Sequence, residues 1–246
     1  MDQLLVALDV ESAAKALALA DSLRGVAGGF KIGSRLFTSE GPSIVRALVE
    51  RGDRVFLDLK FHDIPNTVAQ AVAAATTLGV WMLNVHASGG KKMMEAAGNA
   101  AKEAATREGL RPPLVIAVTV LTSMNAPALV ETGYAAASSK EDGEAGVLDQ
   151  VVRLARLAEA SGLDGVVASP QETARLRKSC SSVFSIVTPG IRGGGTAATA
   201  KDDQERTMSA REAIAAGASY IVVGRPIIAA PDPRAAAEML IKNAGF

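Results

Sequence analysis

"FLDLKFHDIPNTV", residues 56–68, begins like a buried β-strand but carries charge where a core strand would carry Val or Ile. Asp58 and Lys60 fall on one side of this strand, and Asp63 follows three residues later. Burying a charged group costs several kcal/mol unless the ions are paired. The stretch therefore predicts a strand whose end holds opposite charges close together.

Eight short apolar, β-rich runs, this one included, are spaced along the whole chain. They are "LLVAL" (4–8), "GFKIG" (29–33), "VFLDL" (55–59), "WMLNV" (81–85), "LVIAVTV" (114–120), "GVVAS" (165–169), "FSIVT" (184–188) and "YIVVG" (220–224). The segments between them have helical patterning and are rich in Ala, Leu, Glu and Lys. Strands that are apolar on both faces and alternate with helices indicate a parallel sheet covered on both sides. Eight such units in 246 residues predict an α/β fold, a single closed (β/α)8 TIM barrel.

An open, doubly wound parallel sheet is the alternative architecture. Such a sheet more often has a glycine-rich dinucleotide turn after its first strand, and "ALDVESAAK" (7–15) has none. The chain also lacks a linker, a charge block or a low-complexity tract that would divide it. We therefore expect residues 1–246 to form one domain.

Charge and cysteine content limit the classes of partner. The 26 basic and 26 acidic residues balance, whereas nucleic acid or a membrane surface would favour a basic excess. The single cysteine, Cys180, permits no internal disulfide, and no apolar N-terminal leader is evident, so we expect a cytoplasmic protein. No apolar run approaches the roughly 20 residues of a membrane span.

Charged residues recur where the predicted strands end. Asp9 ends strand 1, Lys31 lies in strand 2, Asp58 and Lys60 end strand 3, and Asp63 opens the next loop. In a TIM barrel the active site lies at the carboxyl ends of the strands. An ion-pair network that only fills the barrel is the structural alternative, but several opposite charges converging at this end favour an active site.

Two histidines near this end, His62 and His86, are interpreted as hydrogen-bonded structural residues. Neither has a second His or a Cys at metal-ligand spacing, so we predict no metal site.

The loops after strands 7 and 8 are the usual phosphate site of this fold. Backbone N–H groups around Gly224 can face an anion, and Arg225 offers a bidentate charge. Arg192 and Gln204 flank a glycine-rich stretch, 193–195, that we interpret as the hinge of a lid.

The motif Asp58-x-Lys60-x-x-Asp63-Ile-Pro-Asn-Thr resembles the signature of the orotidine 5'-phosphate decarboxylase family. Further pieces match in order and spacing over nearly the whole chain. They are "LDV" (8–10), "FKIG" (30–33), "VHASGG" (85–90), "VLTS" (120–123), "TPGIR" (188–192), "DDQ" (202–204) and "VVGRPI" (222–227). Where the family often has Thr-Pro before the helix after "DDQ", this chain has Ser209-Ala210, and serine still caps a helix.

The resemblance implies a cofactor-free conversion of orotidine 5'-phosphate to UMP, in the synthesis of pyrimidines. It implies that Asp58, Lys60 and Asp63 form the catalytic array, with Lys60 as the proton donor. Asp9 and Lys31 would contact the ribose, and Lys31 would also join the array. The charged strand is then explained, because a carbanion at C6 of the pyrimidine has no π system to delocalise it and requires preorganised ions.

The resemblance also assigns residues to the rest of the substrate. The pyrimidine would lie near Thr122 and Ser123. The phosphate would be held by Arg192, Gln204, Gly224 and Arg225. Asp63, Ile64 and Thr67 would cross into the partner subunit's site, which implies a homodimer with shared active sites.

Two other functions stay open on the sequence. A Mg²⁺-dependent sugar-phosphate decarboxylase or aldolase of the same superfamily shares Asp-x-Lys-x-x-Asp, but commonly has a Glu metal ligand where this chain has Lys31. A non-catalytic nucleotide-binding barrel would not require Asp58 and Lys60 together.

Overall fold

The computed structural model describes residues 2–133, 143–192 and 208–245. Within these ranges eight parallel strands close a barrel in the order β1-β10-β7-β6-β5-β4-β3-β2. The barrel strands are β1 (Leu4–Ala7), β2 (Gly29–Gly33), β3 (Val55–Phe61), β4 (Met82–His86), β5 (Leu114–Val118), β6 (Gly165–Val167), β7 (Ser185–Thr188) and β10 (Tyr220–Val223). Two further strands, β8 (Ile191–Arg192) and β9 (Met208–Ser209), pair with each other outside the barrel. The predicted TIM barrel is confirmed, and each of the eight apolar runs supplies one barrel strand.

The helices lie between the strands and cover the outside of the barrel. They are α1 (Ala13–Leu23), α2 (Ser34–Glu40), α3 (Pro42–Glu50), α4 (Pro65–Thr76), α5 (Lys91–Glu108), α6 (Ala126–Glu131), α7 (Gly143–Ala160), α8 (Thr173–Ser179), α9 (Ala210–Ala215), α10 (Arg225–Ile228) and α11 (Pro233–Ala244). None of the helices in the described ranges is long and apolar enough to cross a membrane. The single-domain organisation of residues 1–246 stays a prediction.

Two apolar cores arise because each strand is apolar on both faces. The larger core lies between the strands and the helices and includes Leu57 and Leu83. The smaller one fills the barrel with inward-facing side chains, among them Phe56, Met82 and Ile116. Burial on both faces fixes the register of each strand, since a slip by one residue would exchange the two cores.

Ser209 supports the helix start that the sequence predicted. Its side chain accepts the Glu212 N–H at 3.3 Å, and the Glu212 carboxylate accepts the Ser209 N–H at 3.0 Å. This reciprocal capping box satisfies backbone donors that the first turn of α9 would otherwise leave unpaired.

Strand β3 departs from regular geometry after Leu57. Leu57 pairs with Leu83 and Phe61 with Val85, so β3 takes four residue steps where β4 takes two. Lys60, within this irregular segment, has a φ of 54°, in the left-handed region. The ladder with β4 is therefore interrupted between Leu57 and Phe61, because extra residues of β3 bulge out of it there, while Asp58 still pairs with Gly33 of β2.

Candidate active site

Four of the predicted charged residues meet at the carboxyl end of the barrel. Lys31 Nζ lies 3.2 Å from Asp9 Oδ1 and 3.5 Å from Asp58 Oδ2. Lys60 Nζ lies 2.6 Å from Asp58 Oδ1. The side chains of Lys31 and Asp58 are 12% and 13% exposed, while those of Lys60 and Asp9 are 35% and 51% exposed. The result is a chain of alternating charges, with its inner members nearly buried and its outer members accessible to a ligand.

The Asp58 carboxylate is held in its ionised form. Burial by itself raises the pKa of this carboxyl group, since it removes water from the charge. Attraction to Lys31 and Lys60, with hydrogen bonds from Lys60 and Asn84, more than offsets burial and lowers the pKa below its ordinary value of 3.8. Asp58 therefore carries a full negative charge at neutral pH.

Asn84, in β4, contacts both catalytic candidates of β3. Its Oδ1 accepts the backbone N–H of Lys60 at 2.8 Å, and its Nδ2 donates to Asp58 Oδ1 at 2.7 Å. The side chain is fully buried. The family motif assigned no role to Asn84. An amide among apolar neighbours in a core strand nevertheless indicates a buried hydrogen-bonding role.

Gly33, at the end of β2, is a second residue whose role the sequence did not reveal. A Cβ at this position would lie 3.0 Å from Lys31 Nζ and 3.3 Å from Asp9 Oδ1. The missing side chain thus leaves the space in which the lysine and aspartate meet. Its sequence signal was weak, because a glycine at a strand end more often marks a turn.

The segment after β3 lies apart from the ion pairs of its own chain. Asp63, Ile64 and Thr67 are exposed, and the Asp63 carboxylate accepts the Ile64 N–H at 2.6 Å. Among the described residues, Asp63 makes no ion pair with Lys60 or Lys31. The predicted array of Asp58, Lys60, Asp63 and Lys31 is thus assembled within one chain except for Asp63.

The residues predicted at the phosphate lie partly beside this cluster. Gly224 follows β10, and a Cβ there would lie 3.8 Å from Asp9 Oδ2 and 3.5 Å from the Cβ of Ala7. Arg225 begins α10 and is exposed. The end of β10 therefore adjoins the charged cluster across β1.

Of the two other predicted phosphate ligands, Arg192 and Gln204, the structure describes only the position of Arg192 in the fold. Arg192 ends the short strand β8. Gln204 and the glycine stretch 193–195, interpreted as a hinge, lie outside the described residues.

The two residues predicted at the pyrimidine, Thr122 and Ser123, form the turn that follows β5. They belong to the same end of the barrel as the cluster, because all eight strands run in parallel.

The histidines lie next to each other at this end. The His62 and His86 rings are 5.3 Å apart between centroids. Burial lowers the pKa of His86 below its ordinary value of 6.5, and repulsion from His62 and Lys60 lowers it further. His86 is accordingly neutral at physiological pH. Across the described parts of the chain, no three His, Cys, Asp or Glu side chains lie close enough together to hold a metal ion.

Comparisons with known proteins agree with the motif. The family model described as "Orotidine 5'-phosphate decarboxylase / HUMPS family" matches residues 2–240. The orotidine 5'-phosphate decarboxylase of Moorella thermoacetica is 51% identical over 240 residues, which cover 97% of this chain and 90% of that protein. The protein of the same name from Sodalis glossinidius is 50% identical over 239 residues, which cover 97% of this chain and 88% of that protein.

Solved structures with a similar fold also match the chain over nearly its whole length. The crystal structure of orotidine 5'-phosphate decarboxylase from Lactobacillus acidophilus matches with a TM-score of 0.83 and 34% identity, covering 100% of both chains. An uncharacterized conserved protein from Geobacillus kaustophilus matches with a TM-score of 0.81 and 37% identity, covering 98% of this chain and 99% of that one. Since the family model and both curated relatives span nearly the whole chain, the resemblance predicted from the motifs is confirmed, and the chain belongs to the orotidine 5'-phosphate decarboxylase family.

Proposed function

We propose that this protein decarboxylates orotidine 5'-phosphate to UMP in the synthesis of pyrimidines, without a metal or an organic cofactor. The observation that carries the proposal is the run of contacts from Asp9 through Lys31 and Asp58 to Lys60 at the active end of the barrel. The names of the curated relatives support the same substrate.

Lys60 is the proton donor in this proposal. The bond between C6 and the carboxylate breaks, its electron pair stays on C6, and CO2 leaves. The ammonium of Lys60 stabilises the negative charge as it develops and then transfers a proton from Nζ to C6. UMP is formed, and solvent reprotonates the neutral amine. The 35% exposure of this side chain supports the role, because a ligand can reach the amine.

Asp58 acts on the substrate carboxylate. Its lowered pKa keeps it ionised, so it repels a substrate carboxylate beside it, and this repulsion is relieved when CO2 leaves as a neutral molecule and the electron pair stays on C6. Lys31, 3.5 Å from Asp58, prevents the cluster from becoming negative before substrate binds. Asp9, the more exposed partner of Lys31, is free on its outer side to contact a ribose hydroxyl.

The rest of the substrate lies along the neighbouring strand ends. The pyrimidine contacts Thr122 and Ser123, and Gly224, Arg225, Arg192 and Gln204 hold the phosphate. The closeness of Gly224 to Asp9 supports this arrangement, since ribose and phosphate are adjacent in the substrate. Binding energy from the phosphate is then available to organise the site around the distant ring.

The working unit in this proposal is a homodimer in the cytoplasm. Asp63, Ile64 and Thr67 reach the partner subunit's site and complete it. The exposure of this segment supports the proposal, since Ile64 is 66% exposed and an apolar side chain so placed favours burial against a partner.

The test is turnover of orotidine 5'-phosphate by purified protein, followed as loss of substrate absorbance with and without prior treatment with EDTA. We expect equal rates in both samples. Activity that EDTA abolishes and Mg²⁺ restores would instead indicate the metal-dependent sugar-phosphate chemistry of the superfamily. UMP binding without any turnover would indicate a nucleotide-binding barrel.

A further inference from the structure

Asn84 is an unusual residue for the place it occupies. It lies in β4 between Leu83 and Val85, and all three side chains are fully buried. A buried amide is costly unless its donors and acceptor find partners. Both partners of Asn84 belong to β3, where the ladder between the two strands becomes irregular.

The two ends of the amide make different contacts. The oxygen accepts the N–H of Lys60, whose φ of 54° is rare for a residue with a side chain. The nitrogen donates to Asp58 Oδ1, the same oxygen that Lys60 Nζ contacts at 2.6 Å. Because an ionised carboxylate only accepts and a backbone N–H only donates, the amide has a single orientation that satisfies both contacts.

We propose that Asn84 is a positioning residue that fixes Lys60 and Asp58 relative to each other through these two hydrogen bonds. One bond holds the Lys60 backbone in its left-handed conformation, which directs the ammonium toward the cluster. The other prevents the Asp58 carboxylate from rotating as charge moves during the reaction. The inference rests on the proposed function, since it concerns the residues that carry out that reaction.

Two substitutions separate this role from simple support of the fold. Asn84→Leu is close in volume and removes both hydrogen bonds. Asn84→Asp retains an acceptor for the Lys60 N–H but at high pH loses the donor to Asp58. When protonated, the new carboxyl group has an O–H that can donate to Asp58 again. The control is Thr76→Val, because Thr76 in α4 is also buried and donates one hydrogen bond, to the Val72 carbonyl at 2.9 Å, away from the cluster.

We expect Asn84→Leu to lower kcat by about 10- to 100-fold while UMP affinity stays within about threefold, since small displacements of reacting groups cost this much. For Asn84→Asp we expect the ratio of its kcat to that of wild type to rise as the pH falls from about 8 to about 5.5, because protonation restores the donor. Thr76→Val should lose thermal stability but keep its kcat.

The inference is overturned if folded Asn84→Leu keeps kcat within about twofold of wild type. If Asn84→Leu does not fold, Asn84→Asp decides, and a ratio that does not change with pH overturns the inference. Failure of the proposed function is a separate result, because wild type itself would then not turn over orotidine 5'-phosphate.

Discussion

At the scale of single residues, the charge state of Asp58 depends on the two lysines beside it, Lys31 and Lys60. Burial raises its pKa, and Lys31 and Lys60 lower it by more, so the pKa in the folded protein lies below 3.8. A lowered pKa means that this carboxylate contributes stability at pH values above about 3.8, and that the contribution is lost as the pH falls through the folded-state value. The cluster therefore keeps its charges through the neutral range.

Substitution of Lys31 should change this balance. In Lys31→Met the largest attraction on Asp58 is gone while burial remains, so the pKa rises. We expect the acid limb of the pH profile of kcat to move to higher pH than in wild type, measured over about pH 4 to 8. Lys242→Met, at an exposed position in the last turn of α11, is the control and should leave the limb where it was. An unmoved limb in an active Lys31→Met would show that Asp58 does not depend on Lys31.

At the scale of elements, the sequence revealed the strands but not the irregular pairing of β3 and β4. Each barrel strand was recognisable because consecutive residues on both of its faces are apolar. The bulge after Leu57 is accompanied instead by contacts across 24 and 26 residues, from Asn84 to Lys60 and to Asp58. Local pattern contains no information on such contacts, so the sequence could not predict where the ladder between β3 and β4 is interrupted.

The charged cluster was predictable for a related reason. Asp9, Lys31, Asp58 and Lys60 each stand at or near the carboxyl end of a strand, and a parallel barrel brings those ends together. The space left by Gly33 was not predictable, since it depends on distances between side chains. The separation of Asp63 from the cluster is consistent with the family resemblance, which implies that Asp63 reaches the partner subunit's site.

Arg177, in α8, forms hydrogen bonds with the loops that lead into β7 and β10. Its guanidinium donates to the carbonyls of Gly217 at 3.0 Å, Phe184 at 2.8 Å and Ser181 at 3.1 Å. Phe184 directly precedes β7, and Gly217 lies between α9 and β10. One side chain thus satisfies carbonyls from two loops, the one between α8 and β7 and the one between α9 and β10.

Arg177→Met should lower the free energy of unfolding by about 2 to 4 kcal/mol, since several carbonyls lose a charged donor at once. The measurement is urea denaturation, with kcat at low temperature expected to be unchanged. Arg175→Met is the matched control on the same helix. It loses an ion pair with Asp149 in which both side chains are more than half exposed, so its effect should stay below about 1 kcal/mol. Equal decreases in the free energy of unfolding in the two variants would show that the hydrogen bonds of Arg177 to the loop carbonyls do not stabilise the fold.

At the scale of the whole molecule, the proposed dimer predicts that two inactive variants restore each other. Lys60→Ala removes the proton donor, and Asp63→Ala removes a residue proposed to act in the partner's site. Each variant alone should be nearly inactive. After subunit exchange, a heterodimer has one site with both lesions and one with neither. Random exchange makes half of the dimers mixed, so activity should recover to about a quarter of wild type per total site.

The control for this recovery is the occurrence of exchange itself, which native mass spectrometry of differently tagged chains detects. A structural role of Asp63 within its own subunit predicts no recovery, because every site would then keep one lesion. Heterodimers without activity would thus refute the shared site while leaving the chemistry of Lys60 intact.

The role of Lys60 is the central claim, and the most direct measurement is kcat for orotidine 5'-phosphate in Lys60→Ala beside the dissociation constant for UMP. We predict a fall in kcat of at least about 10³-fold, since a proton donor and a charge stabiliser are lost together, with UMP affinity far less affected. Lys242→Ala, which removes an exposed lysine in the last turn of α11, should match wild type in both quantities. A Lys60→Ala protein that keeps a tenth of the wild-type kcat would contradict the account.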